Sequence, residues 1–192
     1  TSQRFKEFAA RSGINLPFVV KDYQWYGHGL GVWEDNPRGR GRHDGFSSEE
    51  GRRFLQYMFD HAASRGAKTV RVMLFADLRA GVTFDAQGIM TGVDEHVYRD
   101  MDALLEEAQA RGLKLIPVLL DYSLADHRRR EGTPLLDEVR VGEHPEFITD
   151  PVQREALFAR VIRPFMKQYG NHPSVLAWDV MNEPELAEAV AP

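Results

Sequence analysis

The chain has 192 residues, 43% hydrophobic and 28% charged, with a formal net charge of −5; these are the proportions of an ordinary globular domain. An acidic balance with one short dense basic run argues against a nucleic-acid surface. No cysteine is present, which excludes disulfide and thiolate chemistry, and no apolar run nears the roughly 20 residues that cross a bilayer.

The N-terminal stretch Thr1-Ser2-Gln3-Arg4-Phe5-Lys6-Glu7 has no apolar signal core. The first strand is expected in Gly13-Ile14-Asn15-Leu16-Pro17-Phe18-Val19-Val20, where Pro17 removes a donor and suits a strand end or bulge. A long loop, residues 21–46, follows it and holds Tyr23, Trp25, Tyr26 and Trp33 among several glycines. Flat aromatic faces suit the apolar faces of sugar rings, and glycine lets a backbone approach closely; the same rings also suit plain loop packing. Gly27-x-Gly29-x-Gly31 lacks the final spacing and the following helix of a dinucleotide loop.

Ser47-Ser48-Glu49-Glu50 fits a capping box, and Phe54, Leu55, Met58, Phe59 and Ala62 then form one apolar stripe that stops at Gly66. Thr69–Phe75 reads as a buried strand carrying Arg71, a guanidinium that needs a carboxylate partner, with Asp179 a candidate. Asp85-Ala86-Gln87-Gly88 is a turn without the spaced acids of a calcium loop. A second helix begins near Asp94, with Val97, Met101, Leu104, Leu105 and Ala108 on one face, and ends at Gly112.

Leu113–Leu120 is the third strand, running into Asp121-Tyr122 and a second long loop, residues 121–149, whose Arg128-Arg129-Arg130 reads as a solvated run. Asp150-Pro151 caps a third helix with Leu157, Val161 and Phe165 inward and a bend expected at Pro164. Ser174–Met181 is the fourth strand. Strand-helix-strand repeated three times makes an α/β fold with a parallel sheet, and both long loops follow strand carboxyl ends, where such folds build their sites. The pattern alone leaves a barrel and an open doubly wound sheet both possible.

The fourth strand ends in Trp178-Asp179-Val180-Met181-Asn182-Glu183-Pro184. A carboxylate and an amide at a buried strand tip are costly without partners, and burial can raise a Glu pKa into the range of a general acid. Read with its upstream Tyr169-x-x-His172-Pro173, this segment resembles the fourth-strand motif of clan A glycoside hydrolases, closest to family 5, the cellulase and mannanase family. Gly13-Ile14-Asn15 and Thr69-Val70-Arg71-Val72 look like that family's first and second strands, so the resemblance runs from residue 13 to 185.

The resemblance implies a (β/α)₈ TIM barrel, with this chain supplying strands 1–4 and helices 1–3, residues 1–192 being the N-terminal half of a single catalytic domain. It implies a retaining glycoside hydrolase acting on a β-linked poly- or oligosaccharide, with Glu183 as acid/base, Asn182 binding substrate and Arg71 beneath the catalytic carboxylates; beside it, Asp121 and Tyr122 at the third-strand tip and the loop aromatics Trp25 and Trp33 are expected to meet substrate. The matching nucleophile Glu belongs to a seventh strand, absent from these residues, so the fragment alone is expected to be inactive; the alternative is an inactive carbohydrate-binding barrel fragment. A C-terminal half-barrel or a second copy would then complete the fold. Family 5 carries a substrate-contacting His near the third-strand tip, where this chain has Asp121-Tyr122, which leaves the substrate subclass open. The resemblance implies no cofactor, the seven histidines lack metal-site spacing, and a secreted or periplasmic location is favoured.

Overall fold

The computed structural model describes residues 13–16, 20–21, 24–25, 30–31, 45–76, 78, 80–125 and 144–190. In chain order the strands are β1 (Gly13–Leu16), β2 (Val20–Lys21), β3 (Gln24–Trp25), β4 (Thr69–Met73), β5 (Val82–Phe84), β6 (Met90–Val93), β7 (Lys114–Asp121) and β8 (Asp179–Asn182). The helices are α1 (Glu49–Ser64), α2 (His96–Ala110), α3 (Glu146–Thr149), α4 (Pro151–Leu157) and α5 (Arg163–Tyr169). The main sheet is parallel and ordered β1-β4-β7-β8.

That order decides between the two architectures the pattern left open. A doubly wound sheet reverses its strand order at a switch point, whereas here every crossover moves one strand further in the same direction. The helices therefore form one layer, with α1 against α2 and α5 tied to α2 where the Tyr169 hydroxyl donates to Asp102 Oδ1 at 2.8 Å. This is the winding of a partial (β/α) barrel. Val70, Val72, Leu74 and Leu115 on the sheet meet Leu55, Phe59, Met101, Leu104 and Phe165 in one apolar core.

Local chemistry sets the helix ends. Ser48 is the cap of α1, its side chain accepting from Gly51 N. The cap is therefore one residue later than the expected box, because Ser47 is taken up by Asp100. Asp94 Oδ1 accepts from His96 N and Val97 N at the start of α2, and Asp150 caps α4 through Val152 N and Gln153 N. The bend at Pro164 takes the form of a π-helical segment, Phe158–Ile162, between α4 and α5. Proline cannot donate to the carbonyl four residues back and its ring crowds that carbonyl, so the preceding turn widens.

The fourth strand departs from expectation. Of the apolar run 174–181, only the bridge at Val175 and then Asp179–Asn182 join the sheet. Leu115 donates to the Ser174 carbonyl and accepts from Leu176 N; in a parallel ladder the next β7 residue facing that neighbour is Pro117, which has no N–H. Nor is this run buried on both faces: Val180 is 62% exposed and Leu176 60%, and no described strand flanks β8 on its far side. The two short strands β5 and β6 form an antiparallel hairpin around the Asp85–Gly88 turn, inserted between β4 and α2. Among the described residues, no helix is long and apolar enough to cross a membrane.

Candidate active site

A chain of polar side chains runs across the carboxyl ends of all four sheet strands. Asn15 on β1 pairs in register with Arg71 on β4, and Arg71 Nη1 donates to Asn15 Oδ1 at 3.3 Å. Arg71 Nε and Nη2 both donate to Asp179 Oδ2, at 3.1 and 2.7 Å, the forked contact to which a planar guanidinium is suited. Nη2 also donates to Asn182 Oδ1 at 2.9 Å. The Asn182 amide donates to Asp121 Oδ1 at 2.7 Å and to Glu183 Oε2 at 3.3 Å.

Asp179 and Asn182 lie three residues apart, so strict strand alternation would put them on opposite faces. Both nevertheless reach the long guanidinium of Arg71, and just past them Glu183 adopts φ +49°. Among the described residues, non-glycine positive φ occurs at Ala76, Leu78 and Glu183, all just past the carboxyl ends of β4 and β8. A left-handed backbone at a side-chain-bearing residue costs of the order of 1 kcal/mol or more and persists where the surroundings fix it. Glu183 itself is exposed, contrary to the buried strand tip expected from the sequence, and its Oε2 is held by Asn182.

The motif around Glu183 divides into site and scaffold. Trp178 Nε1 donates to the Gly170 carbonyl at 3.1 Å and its ring meets Phe165 edge-on. His172 Nδ1 accepts from Ser174 N at 3.2 Å. The buried Tyr169 hydroxyl also lies 3.0 Å from the Tyr98 carbonyl, and burial followed by its hydrogen bond to Asp102 pushes the phenol well above the usual tyrosine range. These three residues hold the helix–strand junction that delivers Asp179, Asn182 and Glu183.

The sequence model of the cellulase family, glycosyl hydrolase family 5, matches residues 37–190. The chain belongs to glycosyl hydrolase family 5. It is 26% identical over 124 residues to a mannan endo-1,4-β-mannosidase of Mytilus edulis, an alignment covering 64% of this chain and 30% of that protein. It is 28% identical over 133 residues to mannan endo-1,4-β-mannosidase A of Podospora anserina, covering 65% and 34%. The chain thus matches about a third of the length of these relatives. Among solved structures, the β-1,4-D-mannanase of Cryptopygus antarcticus superposes with a TM-score of 0.63 at 19% identity, over 90% of this chain and 40% of that one. The β-mannanase of Mytilus edulis gives 0.58 at 23%, over 71% and 35%; at such identities the likeness is one of fold.

Within this family 5 chain, the structure joins Glu183, Asn182, Arg71 and Asp121 in one network. Asp121 is buried, with Oδ2 accepting from Ser123 N at 3.1 Å as Oδ1 serves Asn182, so neither of its oxygens is turned to the cleft. Tyr122, half-buried, opens the 3₁₀ turn 122–124 immediately beyond. Trp25 is described in its backbone, which pairs with Val20. Trp33, Tyr23, Tyr26, Pro17, Asp126, His127 and the run 128–130 lie outside the described residues.

Two participants were underweighted in the sequence. Asn15 stood in the first-strand pattern without a role, its signal being the pairing of its strand with the one bearing Arg71. Asp100 lies off the apolar stripe named for its helix, yet it is fully buried. Its carboxylate accepts from Gly31 N at 2.7 Å and from Ser47 N and Oγ at 2.7 and 2.5 Å. Burial pushes its carboxyl up, against those hydrogen bonds. Leu30 N donates to the Leu74 carbonyl just past β4, so Asp100 ties Gly31 and Ser47 to α2 near the carboxyl end of β4. The close approach needs glycine: a Cβ on Gly45, at φ +76°, would sit 2.1 Å from Asp100 Oδ2.

Proposed function

We propose that this chain carries the acid/base half of a retaining β-glycosidase active centre, with β-1,4-mannan its substrate class. Glu183 protonates the departing glycosidic oxygen, then deprotonates the water that releases the sugar from a covalent ester. The observation that carries the reading is the hydrogen-bonded placement of Glu183 and Asn182 at the tip of β8, anchored through Arg71 and Asp179. Membership of family 5 and the mannosidase relatives supply the reaction class and the sugar.

Asn182 fixes one oxygen of Glu183 and leaves the other free to face a leaving group. The forked contact with Asp179 neutralises the Arg71 guanidinium and leaves it directional, as a donor to Asn182. The retaining mechanism requires a second carboxylate about 5–5.5 Å from the first to form the ester. That nucleophile comes from further polypeptide seated beyond β8, a C-terminal half-barrel that covers Leu176 and Val180, both more than half exposed.

The test uses the full-length protein and two substrates with leaving groups of different acidity. A poor leaving group needs the proton from Glu183, whereas a nitrophenolate leaves without it. Glu183→Ala should abolish hydrolysis of manno-oligosaccharides by about a hundredfold to ten-thousandfold while retaining the first step on a nitrophenyl mannoside. Equal loss on both substrates would remove the acid role from Glu183. Absence of hydrolysis by the wild-type full-length protein, with sugar binding intact, would make the fold a carbohydrate-binding barrel.

A further inference from the structure

The Asn182 amide lies between a donor, Arg71, and a carboxylate, Asp121. Arg71 is a donor only, and its Nη2 lies 2.9 Å from Asn182 Oδ1. Asp121, when ionised, is an acceptor only, and its Oδ1 lies 2.7 Å from Asn182 Nδ2. Flipping the amide would set donor against donor at Arg71 and acceptor against acceptor at Asp121. One N–H of the amide is thereby committed to Asp121, and the other points at Glu183 Oε2, 3.3 Å away.

We infer that Asp121 is a positioning residue for the acid/base: it locks the polarity of the Asn182 amide so that an N–H, never the carbonyl oxygen, faces Glu183. This rests on the hydrolase reading above. Asp121 suits the task because it is buried and its second oxygen is held by Ser123 N, which stops the carboxylate from rotating. Its place at the end of the third sheet strand, in register with Asn182 at the end of the fourth, makes the contact a direct cross-strand one. Were the lock lost, a flipped amide would present its oxygen to the Glu183 carboxylate and turn that oxygen away from its place.

Asp121→Asn separates this role from a purely structural one. Asparagine caps a turn as well as aspartate does, so the bond to Ser123 N survives, but the new amide turns an N–H toward Asn182. In the full-length protein, positioning predicts a folding midpoint that falls slightly, as the amide loses its acceptor, and a KM within about twofold of wild type. It predicts a kcat lower by about 10- to 100-fold, the value of a hydrogen bond to a charged group. A structural cap predicts unaltered kcat, and that result overturns the inference. Should the variant fail to fold, the wild-type protein decides: the Asn182 side-chain amide protons should exchange with solvent at least about tenfold slower than those of an exposed asparagine, and exchange at the exposed rate overturns the lock. Glu183→Ala with full turnover on manno-oligosaccharides would defeat the hydrolase reading instead, while the exchange measurement still judges the amide.

Discussion

Arg71 and Asp179, 108 residues apart in sequence, meet through two nitrogens of one guanidinium on a single carboxylate oxygen, at 3.1 and 2.7 Å. The pair links the second and fourth sheet strands across β7. Both side chains are about three-quarters buried or slightly less, with 24% and 30% exposed. It is the rigid element from which Asn182 and then Glu183 are aimed.

Arg71→Met leaves Asp179 without its cation and Asn182 Oδ1 without its donor. Losing one partner of a well-buried pair costs about 3–5 kcal/mol, and partial solvation lowers that here to about 1–3 kcal/mol. Chemical denaturation should show that loss, and turnover should fall with it. Arg71→Lys should restore part of the stability and little of the activity, since an ammonium cannot reproduce the fork.

Asp100→Ala should destabilise the fold by about 2–4 kcal/mol, because three donors on Gly31 and Ser47 lose their buried acceptor. Gly45→Ala should act in the same direction through the clash with Asp100 and the positive φ. Hydrogen exchange would report the release at Gly31 and Ser47 before any change at Val70 or Leu115.

Acid sensitivity should concentrate at Glu107. Burial raises its pKa, but hydrogen bonds from Gln56, Arg111 and Arg52 outweigh burial and hold it below the ordinary glutamate value of 4.5. A carboxylate with a lowered folded pKa stabilises the fold above its unfolded pKa, and that stabilisation is lost as pH falls through the folded value. Glu107→Gln should therefore be less stable than wild type at neutral pH, and the difference should shrink below about pH 4.5. Thermal melts across pH 3–7 measure it.

Tyr169→Phe removes the hydroxyl that joins α5 to α2 and should cost about 1–2 kcal/mol. The raised phenol means that the wild-type fold binds its proton more tightly than the unfolded chain, so wild-type stability falls as pH rises above the ordinary tyrosine value of 10.0. The variant should lack that alkaline component, and kcat should change less than about twofold, since Tyr169 supports the junction and its hydroxyl lies against Tyr98 and Asp102 rather than Glu183.

Much of this architecture is legible in the sequence because its signals are long or chemically strict. The stripe Leu55, Phe59 and Ala62 faces the core as its spacing requires, and Asp150-Pro151 marks its helix start to the residue. Arg71 demanded a carboxylate and found Asp179. What escaped was short or non-local. The three residues of β5 and the four of β6 are too few to show alternation, although the turn between them was plain. Pro117 sits in an apolar run as if it were neutral, and its missing N–H interrupts a strand some 60 residues later. The hold of Asp100 on Gly31 and Ser47 depends on segments that only the folded chain brings together.

The central claim is that Glu183 delivers the proton. The most direct measurement is the turnover of a manno-oligosaccharide by full-length protein carrying Glu183→Gln, with binding of the same sugar followed by calorimetry. The account predicts turnover lower by about a hundredfold or more with affinity preserved within a few fold, since the amide keeps the shape and loses the acid. Turnover at the wild-type rate would contradict it.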